Sequence, residues 1–375
     1  MSILVLAPTL KTPSGHDHAF CSELISYAGA ANIKILASEK FQPEPSLPAV
    51  PFFLVDPYEY RWAHKEAKRK VLWGDLLKSA SRDLQKVDFS IYSKLIFHTA
   101  DPVYLVALSR CLRRFSGTLY LGFMLPPSFW LLETVRRRIL SVLSDVAIYS
   151  LKRKARVVLY SETGVIQFDH RSLKCLLKLP PVQSFGSPTG RPMAGSGSDR
   201  SERIKIGFFG APFEDKGFQI LLELAENAEV QNRFQIKVFL PPGQQDLADK
   251  ISSSNGFITA NSEDRDVSTY FGCISSIDLV YTLYSPNAYK DRMSGVVQDA
   301  ILAGKPLLVA TECAEMRRFI DQVAPGAYVH AGYSVPGAAG CLVSTTGKLP
   351  ELSKQAKAGA QAIRKLKTFE AYFDG

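Results

Sequence analysis

Short apolar runs, rich in β-branched and aromatic residues, alternate along the chain with longer stretches in which apolar residues recur at every third or fourth position. The short runs are typical of buried strands, and the longer stretches are typical of amphipathic helices. In the first half the predicted strands are Ile3–Ala7, Ile33–Ala37, Leu95–His98, Thr118–Phe123 and Val157–Ser161. In the second half they are Ile204–Gly210, Gln235–Leu240, Gly256–Ala260, Ile277–Leu283 and Pro306–Ala310. This alternation favours parallel sheets that are covered by helices on both faces.

One segment interrupts the alternation. From Pro181 to Arg203 the chain is rich in Gly, Ser and Pro and nearly free of large apolar residues, which indicates a linker. A chain of 375 residues is long enough for two cores. We therefore predict a first domain over residues 1–184, a linker over 185–203, a second domain over 204–350 and an amphipathic C-terminal helix over 351–375 that can cross back to the first domain.

The composition limits the class of protein. No stretch approaches the roughly 20 uncharged apolar residues that a spanning helix needs. The first residues lack a basic leader and a small-residue cleavage site, so we expect no secretory signal. The six cysteines form no C-x-x-C pair, which is typical of reduced thiols. Together these features predict a cytoplasmic protein.

The net charge of +9 is unevenly distributed. Residues 1–200 hold 27 Lys and Arg against 16 Asp and Glu, whereas residues 201–375 hold 18 against 20. Basic clusters occur at His64–Lys70, Arg136–Arg138 and Lys152–Arg156. The charge favours peripheral contact with anionic lipid at the inner membrane face, or with the pyrophosphate of a lipid-linked acceptor. No nucleic acid partner is expected, because no RNP-like strand or DNA-binding motif accompanies the charge.

A helix between the last two basic clusters is predicted from apolar residues at steps of three and four. These are Leu132, Val135, Ile139, Val142 and Val146. Such a stripe usually packs on a protein core, so we expect it to be buried.

The segment Asn287–Ala310 carries the strongest chemical signal. A strand leads into a loop, a helix that opens near Ser294 and Gly295, and a stop at Gly304. Backbone N–H groups at such a helix start are suited to bind a diphosphate. The carboxylates of Asp291 and Asp299 lie on either side of this start and are suited to bind hydroxyl groups.

This segment resembles the E-x7-E signature of the group-1 family of retaining glycosyltransferases, with aspartate in both acidic positions and the continuation SGVVQDAILAGKP. The resemblance implies the GT-B architecture, an α/β fold with two doubly wound, Rossmann-like domains that face each other across a cleft. It also implies that Asp291 contacts the donor sugar as a catalytic residue and that Asp299 contacts the ribose. The amides of Ser294, Gly295 and Val296 would hold the diphosphate.

The segment IKIGFFGAPFEDKGFQILLEL resembles the start of the nucleotide-binding domain in the same family. The resemblance gives Lys216 a contact with a donor phosphate. An arginine that the family places just after the strand is absent here, and Arg292 or His16 could replace its charge. A solvated lysine at a helix start is the structural alternative for Lys216.

In the first half, Gly15 and His16 follow the first strand, where the family has a glycine-rich loop that touches the donor. His98 ends another strand and is a candidate for recognising the acceptor or polarising the leaving group, although a structural role is at least as common. No metal site is expected at His16 and His18, because no third ligand of fitting spacing follows. Asp264 and Asp266 imitate a metal-binding D-x-D, but they precede a helix, where acids favour the N-terminus.

We therefore predict an enzyme, a metal-independent glycosyltransferase that moves a sugar from a nucleotide sugar to a glycan or lipid-linked acceptor in polysaccharide or glycoconjugate synthesis. The nucleotide sugar is a substrate, and no cofactor is expected. A sugar-nucleotide epimerase of the same fold and a non-catalytic partner module of the same fold remain as alternatives.

Overall fold

The computed structural model describes residues 2–11, 16–58, 73–125, 127–130, 134–179, 203–263, 267–290 and 292–373. The predicted linker up to residue 202 and the basic cluster His64–Lys70 lie outside this part of the chain. The packing divides the protein into two units. The first consists of Met1–Gln183 together with Lys367–Gly375, and the second consists of Ser184–Leu366.

The first unit contains a seven-stranded parallel sheet in the order β3-β2-β1-β4-β5-β6-β9, and an antiparallel ribbon of β7 and β8. Central strands such as β1 are buried along their whole length, since helices cover both faces of such a sheet. The strands are β1 (Ile3–Ala7), β2 (Ile33–Ser38), β3 (Ala49–Phe53), β4 (Lys94–Phe97), β5 (Thr118–Gly122), β6 (Arg156–Ser161), β7 (Val165–Gln167), β8 (Ser172–Lys174) and β9 (Leu176–Leu177).

Four longer helices accompany this sheet: α1 (His16–Ala28), α2 (Trp73–Gln85), α3 (Pro102–Cys111) and α4 (Thr134–Lys152). Local chemistry sets the start of α3, because the Asp101 carboxylate accepts hydrogen bonds from the amides of Val103 and Tyr104, and Pro102 occupies the first turn. Short 3-10 turns lie at Ala30–Asn32, Phe89–Ile91 and Pro127–Trp130.

The second unit contains a six-stranded parallel sheet in the order β12-β11-β10-β13-β14-β15. Its strands are β10 (Ile204–Phe209), β11 (Phe234–Phe239), β12 (Ile258–Asn261), β13 (Leu279–Thr282), β14 (Leu307–Ala310) and β15 (Tyr328–Ala331). Its helices are α5 (Phe218–Leu224), α6 (Ala228–Arg233), α7 (Gln245–Ser254), α8 (Val267–Ser275), α9 (Pro286–Tyr289), α10 (Gly295–Leu302), α11 (Ala314–Val323), α12 (Val335–Thr345) and α13 (Leu349–Leu366). Further 3-10 turns lie at Glu214–Lys216 and Thr346–Lys348.

All ten predicted strands are present, and their ends differ from the prediction by at most two residues. The strands β3, β7, β8, β9 and β15 were not predicted. Strands β3 and β15 lie at the edges of their sheets and are only partly buried. Pro51 interrupts β3, and proline is typical of edge strands rather than of the central strands that the apolar runs indicated. Strands β7, β8 and β9 are only two or three residues long, too short for a periodic pattern. The predicted α/β fold with two doubly wound parallel sheets is confirmed.

The C-terminal segment differs from the single helix that the sequence predicts. Helix α13 ends at Leu366 and packs against α10 and α11 of the second unit. A Cβ atom at Gly359 would lie 2.2 Å from the Cβ atom of Ala324, which shows how closely α13 approaches the end of α11. Only the segment from Lys367 onward, with the short helix α14 (Phe369–Phe373), belongs to the first unit.

Helix α14 completes the core of the first unit. Tyr372 is buried, its hydroxyl shares a hydrogen bond with the Tyr160 hydroxyl on β6, and its ring lies 5.4 Å from that of Phe20 on α1. The Lys178 ammonium, also buried, donates to the backbone carbonyls of Ala371 and Tyr372 at 2.9 and 2.6 Å. Aromatic packing and a buried charged donor together fix this segment.

The prediction that the apolar stripe of α4 is buried is wrong for the residues that can be compared. Ile139, Val142 and Val146 are 55, 43 and 60 % exposed. The helix instead packs on the first unit through Leu140, Ile148 and Leu151. The sequence carries two apolar stripes on this helix, and its periodicity does not show which of them faces the sheet. Leu132 and the side chain of Val135 lie outside the described part. Among the described helices, none combines the length and apolar character needed to cross a membrane.

We predict that Tyr372→Ala destabilises the first unit by about 3–5 kcal/mol, because a large buried ring is lost. Tyr372→Phe keeps the ring and removes only one hydrogen bond, so it should cost about 1–3 kcal/mol. Urea unfolding followed by fluorescence measures both. Equal stability of Tyr372→Ala and the unchanged protein would contradict the packing of α14 described above.

Candidate functional site

The candidate site of the second unit lies at the point where the strand order reverses. Strands β10 and β13 are neighbours in the sheet, and their connections lead to opposite sides of it. In open parallel sheets, ligands bind beyond the carboxyl ends of the strands at this reversal. The loop 210–217 follows β10 and the loop 283–294 follows β13, so both predicted donor-binding segments begin at this edge.

Glycine is required at the start of the first loop. Gly210 has φ of +109°, and a Cβ atom there would lie 2.6 Å from the Lys216 Nζ atom. The lysine side chain therefore folds back over the Gly210 backbone. Burial is the main cause that lowers the pKa of Lys216 from 10.5. This is not the environment of the solvated surface lysine that the sequence also allowed.

The end of the loop is fixed against β13. Gly217 has φ of +66°, and a Cβ atom there would lie 2.1 Å from the Leu283 carbonyl oxygen. The buried Tyr281 hydroxyl donates to the Gly217 carbonyl at 2.8 Å. Since Lys216 precedes this glycine, the contact holds the lysine next to the end of β13.

Arg292 comes from the other loop. Its guanidinium lies 3.9 Å from the centre of the Tyr289 ring and forms an ion pair of 3.8 Å with the Asp215 carboxylate. Stacking on an aromatic face and pairing with a carboxylate both restrict an arginine side chain. The Arg292 charge also lowers the pKa of Lys216, against the opposite effect of Asp215. Two cations distant in sequence are therefore close enough to interact.

Helix α10 follows directly after Arg292. Its N-cap residue, Ser294, makes no side-chain capping hydrogen bond, and the hydroxyl lies instead near the buried Tyr284. The first amides of a helix have no partner within the helix. Gly295 and Val296 are partly exposed. The start of α10 therefore combines accessible amides, the positive end of the helix dipole and a nearby arginine, which suits an anion.

Asp299 lies one turn into α10, four residues after Gly295, so it is on the same side of the helix as the first amides. The Tyr270 hydroxyl of α8 donates to its carboxylate at 3.0 Å. The Tyr270 ring packs edge to face with the ring of Phe209 at the end of β10, with 5.9 Å between the ring centroids. This contact holds Tyr270 in place. The half-buried carboxylate is thus oriented and keeps capacity for further donors.

Some of the residues singled out in the sequence fall in gaps of the described structure. Asp291 and Gly15 lie outside the described residues, as do Asp264 and Asp266. His16 begins α1, but its side chain is not part of the description.

His98 belongs to the first unit and is buried there. Its ring stacks on Phe20 at 3.9 Å, and Nδ1 lies 3.2 Å from the Tyr160 hydroxyl. This environment favours the structural role that the sequence also allowed, while the catalytic role stays a prediction. His18 pairs with the Glu44 carboxylate at 2.5 Å.

Sequence reasoning missed three residues that shape the site: Asp215, Tyr270 and Tyr289. Asp215 and Tyr270 act through a residue from another segment, Arg292 and Asp299 respectively, whereas Tyr289 stacks on Arg292 within its own segment. Tyr289 and Asp215 lie in segments that were singled out, but nothing in the residue pattern indicates that they pair with Arg292. The Tyr270 contact joins two helices and has no local signal at all.

Comparison with solved structures identifies the fold. A sucrose-phosphate synthase from Thermosynechococcus elongatus aligns at 9 % identity and a TM-score of 0.58, over 99 % of this chain and 96 % of its own. An α,α-trehalose-phosphate synthase (UDP-forming) from Burkholderia xenovorans in complex with glucose-6-phosphate aligns at 10 % identity and a TM-score of 0.62. The alignment covers 100 % of this chain and 99 % of the synthase chain. An E. coli trehalose-6-phosphate structure bound with UDP-2-fluoro glucose aligns at 11 % identity and a TM-score of 0.64. The alignment covers 100 % of this chain and 98 % of the E. coli chain.

No family model and no curated protein matches the sequence. At this low identity, the likeness establishes the fold. The chain has the fold of GT-B glycosyltransferases, which the resemblance of its sequence implied.

We predict that Gly210→Ala weakens binding of inorganic pyrophosphate about as much as Lys216→Ala does. The added Cβ atom must displace the Lys216 ammonium, and φ at this position is unfavourable for alanine. Isothermal titration calorimetry measures both variants, with Gly256→Ala as a control because a Cβ atom there meets nothing within 4 Å. Unchanged binding by Gly210→Ala would show that this lysine position is unimportant for anions.

Proposed function

We propose that this protein is a glycosyltransferase that binds a nucleotide-sugar donor at the carboxyl edge of β10 and β13. The observation that carries the proposal is the ion pair of 3.8 Å between Arg292, which precedes α10, and Asp215, the neighbour of Lys216 in the chain, because it joins the loops that carry the two cations. Two cations and a set of helix amides at a strand-order reversal form a suitable environment for a diphosphate. The shared fold supports the proposal, because the neighbours include a UDP-forming synthase and a structure bound with UDP-2-fluoro glucose.

Each residue has a proposed role in donor binding. Lys216, Arg292 and the amides of Ser294–Val296 bind the diphosphate. Asp299, oriented by Tyr270, accepts hydrogen bonds from the ribose hydroxyls. Asp291 contacts the donor sugar, as the resemblance to group-1 enzymes implies. Arg292 supplies the charge of the arginine that is absent after β10.

In the proposed reaction, the bond between the anomeric carbon and the diphosphate oxygen breaks, and the acceptor oxygen bonds to the same carbon with retention of configuration. The acceptor hydroxyl proton passes to the departing phosphate. The transition state places negative charge on the leaving diphosphate, so positive groups that are already in position lower the barrier. Lys216 and Arg292 are held by backbone and aromatic contacts before any ligand binds, which minimises reorganisation.

UDP-glucose is the first donor to test, in view of the ligands of the neighbouring structures. For the acceptor we propose a glycan or lipid-linked molecule that carries phosphate, because residues 1–200 hold 27 basic against 16 acidic residues. Such a reaction belongs to polysaccharide or glycoconjugate synthesis. Glucose-6-phosphate, the ligand of one neighbour, provides a soluble phosphorylated acceptor for the assay.

Two alternatives of the same fold lead to different observations. An epimerase would turn over the nucleotide sugar without any acceptor, and a partner module without activity would release no heat when titrated with nucleotide sugars. Nuclear magnetic resonance of UDP-glucose with the protein, before and after addition of an acceptor, separates these cases from transfer.

We predict that Lys216→Ala reduces affinity for UDP at least tenfold while affinity for uridine is unchanged. A half-buried cation that contacts phosphate contributes about 1.5–3 kcal/mol, whereas the nucleoside is not expected to reach it. Calorimetry measures both ligands. The matched control is Lys250→Ala, which removes an exposed lysine of α7 in the same unit. An equal loss for UDP and uridine would place the lysine at the base or ribose instead.

We predict that binding of UDP weakens with rising pH above the lowered pKa of Lys216, because only the protonated ammonium attracts the diphosphate. Burial places this pKa below 10.5, so the decline begins at a lower pH than for an exposed lysine. Titrations across alkaline pH should show the decline in the unchanged protein and its loss in Lys216→Ala. The same pH dependence in both proteins would exclude Lys216 as its source.

We predict that Asp299→Asn lowers UDP affinity about tenfold or more, because a charged acceptor for the ribose hydroxyls is lost. Tyr270→Phe should have a smaller effect in the same direction, since it only releases the carboxylate. The two effects should be less than additive in the double variant, because both act on one contact. Calorimetry measures all three, and Asp249→Asn on the exposed α7 is the control.

We predict that sugar transfer persists in excess EDTA, because protein cations and amides stabilise the leaving diphosphate in the proposed mechanism. The rate of UDP release in the presence of acceptor is the measurement. Complete inactivation that Mn²⁺ or Mg²⁺ reverses would contradict the mechanism and return attention to Asp264 and Asp266.

A further inference from the structure

Helix α4 exposes a continuous apolar surface. Its members recur at steps of one and three along the helix, which places them on one side. Besides the three residues described above, Leu143 is 42 % and Tyr149 66 % exposed. We call this surface the α4 apolar face; it consists of Ile139, Val142, Leu143, Val146 and Tyr149. Five of the twelve large apolar side chains that are exposed in the described part of the chain lie on it.

The α4 apolar face is separate from the contact between α4 and its own unit. That contact uses the opposite side of the helix, where Leu140, Ala147, Ile148 and Leu151 are buried. The helix therefore already has the single apolar stripe that packing requires. A second apolar side that is exposed to water indicates a binding surface for another protein or for a membrane.

Charge surrounds this face at both ends of the helix. Residues 134–156 contain seven basic residues and one acidic residue. Exposed members include Arg138 at the start of the helix and Lys152 and Arg153 at its end. The acidic residue, Asp145, is neutralised by a bidentate contact with Arg171, which also lowers its carboxyl pKa. Arg137 pairs with the Asp169 carboxylate at 2.9 Å, so the positive charge beside the α4 apolar face comes from exposed residues such as Arg138, Lys152 and Arg153.

We propose that the α4 apolar face inserts into the interface of an anionic lipid membrane. A helix with one apolar side and basic residues at its borders lies flat in that interface, with its apolar side about 5–10 Å deep. The 19 residues of α4 span about 28 Å. Because the helix lies parallel to the membrane plane, the basic residues at both of its ends are at the level of the headgroups. Negative headgroups then attract the basic residues while the apolar side chains leave water.

A second copy of the chain is a less suitable occupant. In a parallel pairing of two α4 helices, each basic end meets its own copy. In an antiparallel pairing, Arg136–Arg138 of one chain meets Lys152–Arg156 of the other. Both arrangements place like charges together, which opposes association. An anionic lipid surface offers an apolar region for the α4 apolar face and negative headgroups for the basic residues at both ends of the helix.

The test uses the full chain without donor or acceptor, so its outcome does not depend on the proposed transferase activity. Co-sedimentation is measured with vesicles of phosphatidylcholine and with vesicles that also contain phosphatidylglycerol. We expect binding only to the anionic vesicles. Salt should weaken it, because the screening length falls from about 10 Å at 0.1 M to about 3 Å at 1 M.

Two variants separate the apolar and the charged contributions. Val142→Asn with Val146→Asn should reduce partition onto anionic vesicles about tenfold or more, since two apolar side chains no longer leave water. Arg138→Gln with Lys152→Gln should also reduce it, and should make the remaining binding less sensitive to salt. Both pairs are exposed, so thermal unfolding should be unchanged.

The control removes at least as much exposed apolar surface elsewhere in the first unit. Ile91→Asn with Leu54→Asn alters two side chains that are 62 and 47 % exposed and lie outside α4. This variant should bind anionic vesicles as the unchanged protein does. An equal loss in the control would show that general apolar exposure causes the binding.

Three outcomes would overturn the proposal. The unchanged protein could fail to bind anionic vesicles, or bind both kinds equally. The Val142→Asn and Val146→Asn variant could bind as well as the unchanged protein. Analytical ultracentrifugation could show a dimer that this variant converts to a monomer, which would make a second copy the occupant.

Discussion

The backbone at Gly217 passes so close to the end of β13 that a Cβ atom there would lie 2.1 Å from the Leu283 carbonyl oxygen. No other residue type fits this approach together with a φ of +66°. The contact joins the loop after β10 to the loop after β13, the two strands at which the sheet order reverses. Lys216, Asp215 and the path of the chain toward Arg292 are all positioned from this junction.

The electrostatics of the site follow from that junction. A lysine and an arginine from different loops are held near each other, and the Asp215 carboxylate, next to Lys216 in the chain, pairs with Arg292 at 3.8 Å. Burial and the neighbouring arginine both favour the neutral form of Lys216, whereas Asp215 opposes them. A bound diphosphate would reverse this balance by adding negative charge. In the proposed donor site, the charges that would favour an anion are therefore set by the arrangement of the loops.

In the first unit, the same type of sheet supports a different surface. Helix α14 fills one side of the core through Tyr372, and α4 packs on the other elements while it keeps an apolar side in water. An exposed apolar side costs free energy in solution unless a partner covers it. For the membrane contact proposed above, the basic residues at both ends of α4 favour a negative partner. The proposed donor binding and the proposed membrane contact are thus assigned to different elements of the fold.

The sequence alone determined the local pattern: ten strands, the α/β class, the division into two sheets and the segments that contain Lys216, Arg292 and Asp299. These features depend on periodicity and on glycine positions, which are properties of neighbouring residues. The tertiary structure decided which side of α4 is buried, where α13 packs, and that Tyr270 orients Asp299. Those facts depend on contacts between segments far apart in the chain. Periodicity can show that a helix has two apolar sides, but only the packing of the sheet selects the one that leaves water.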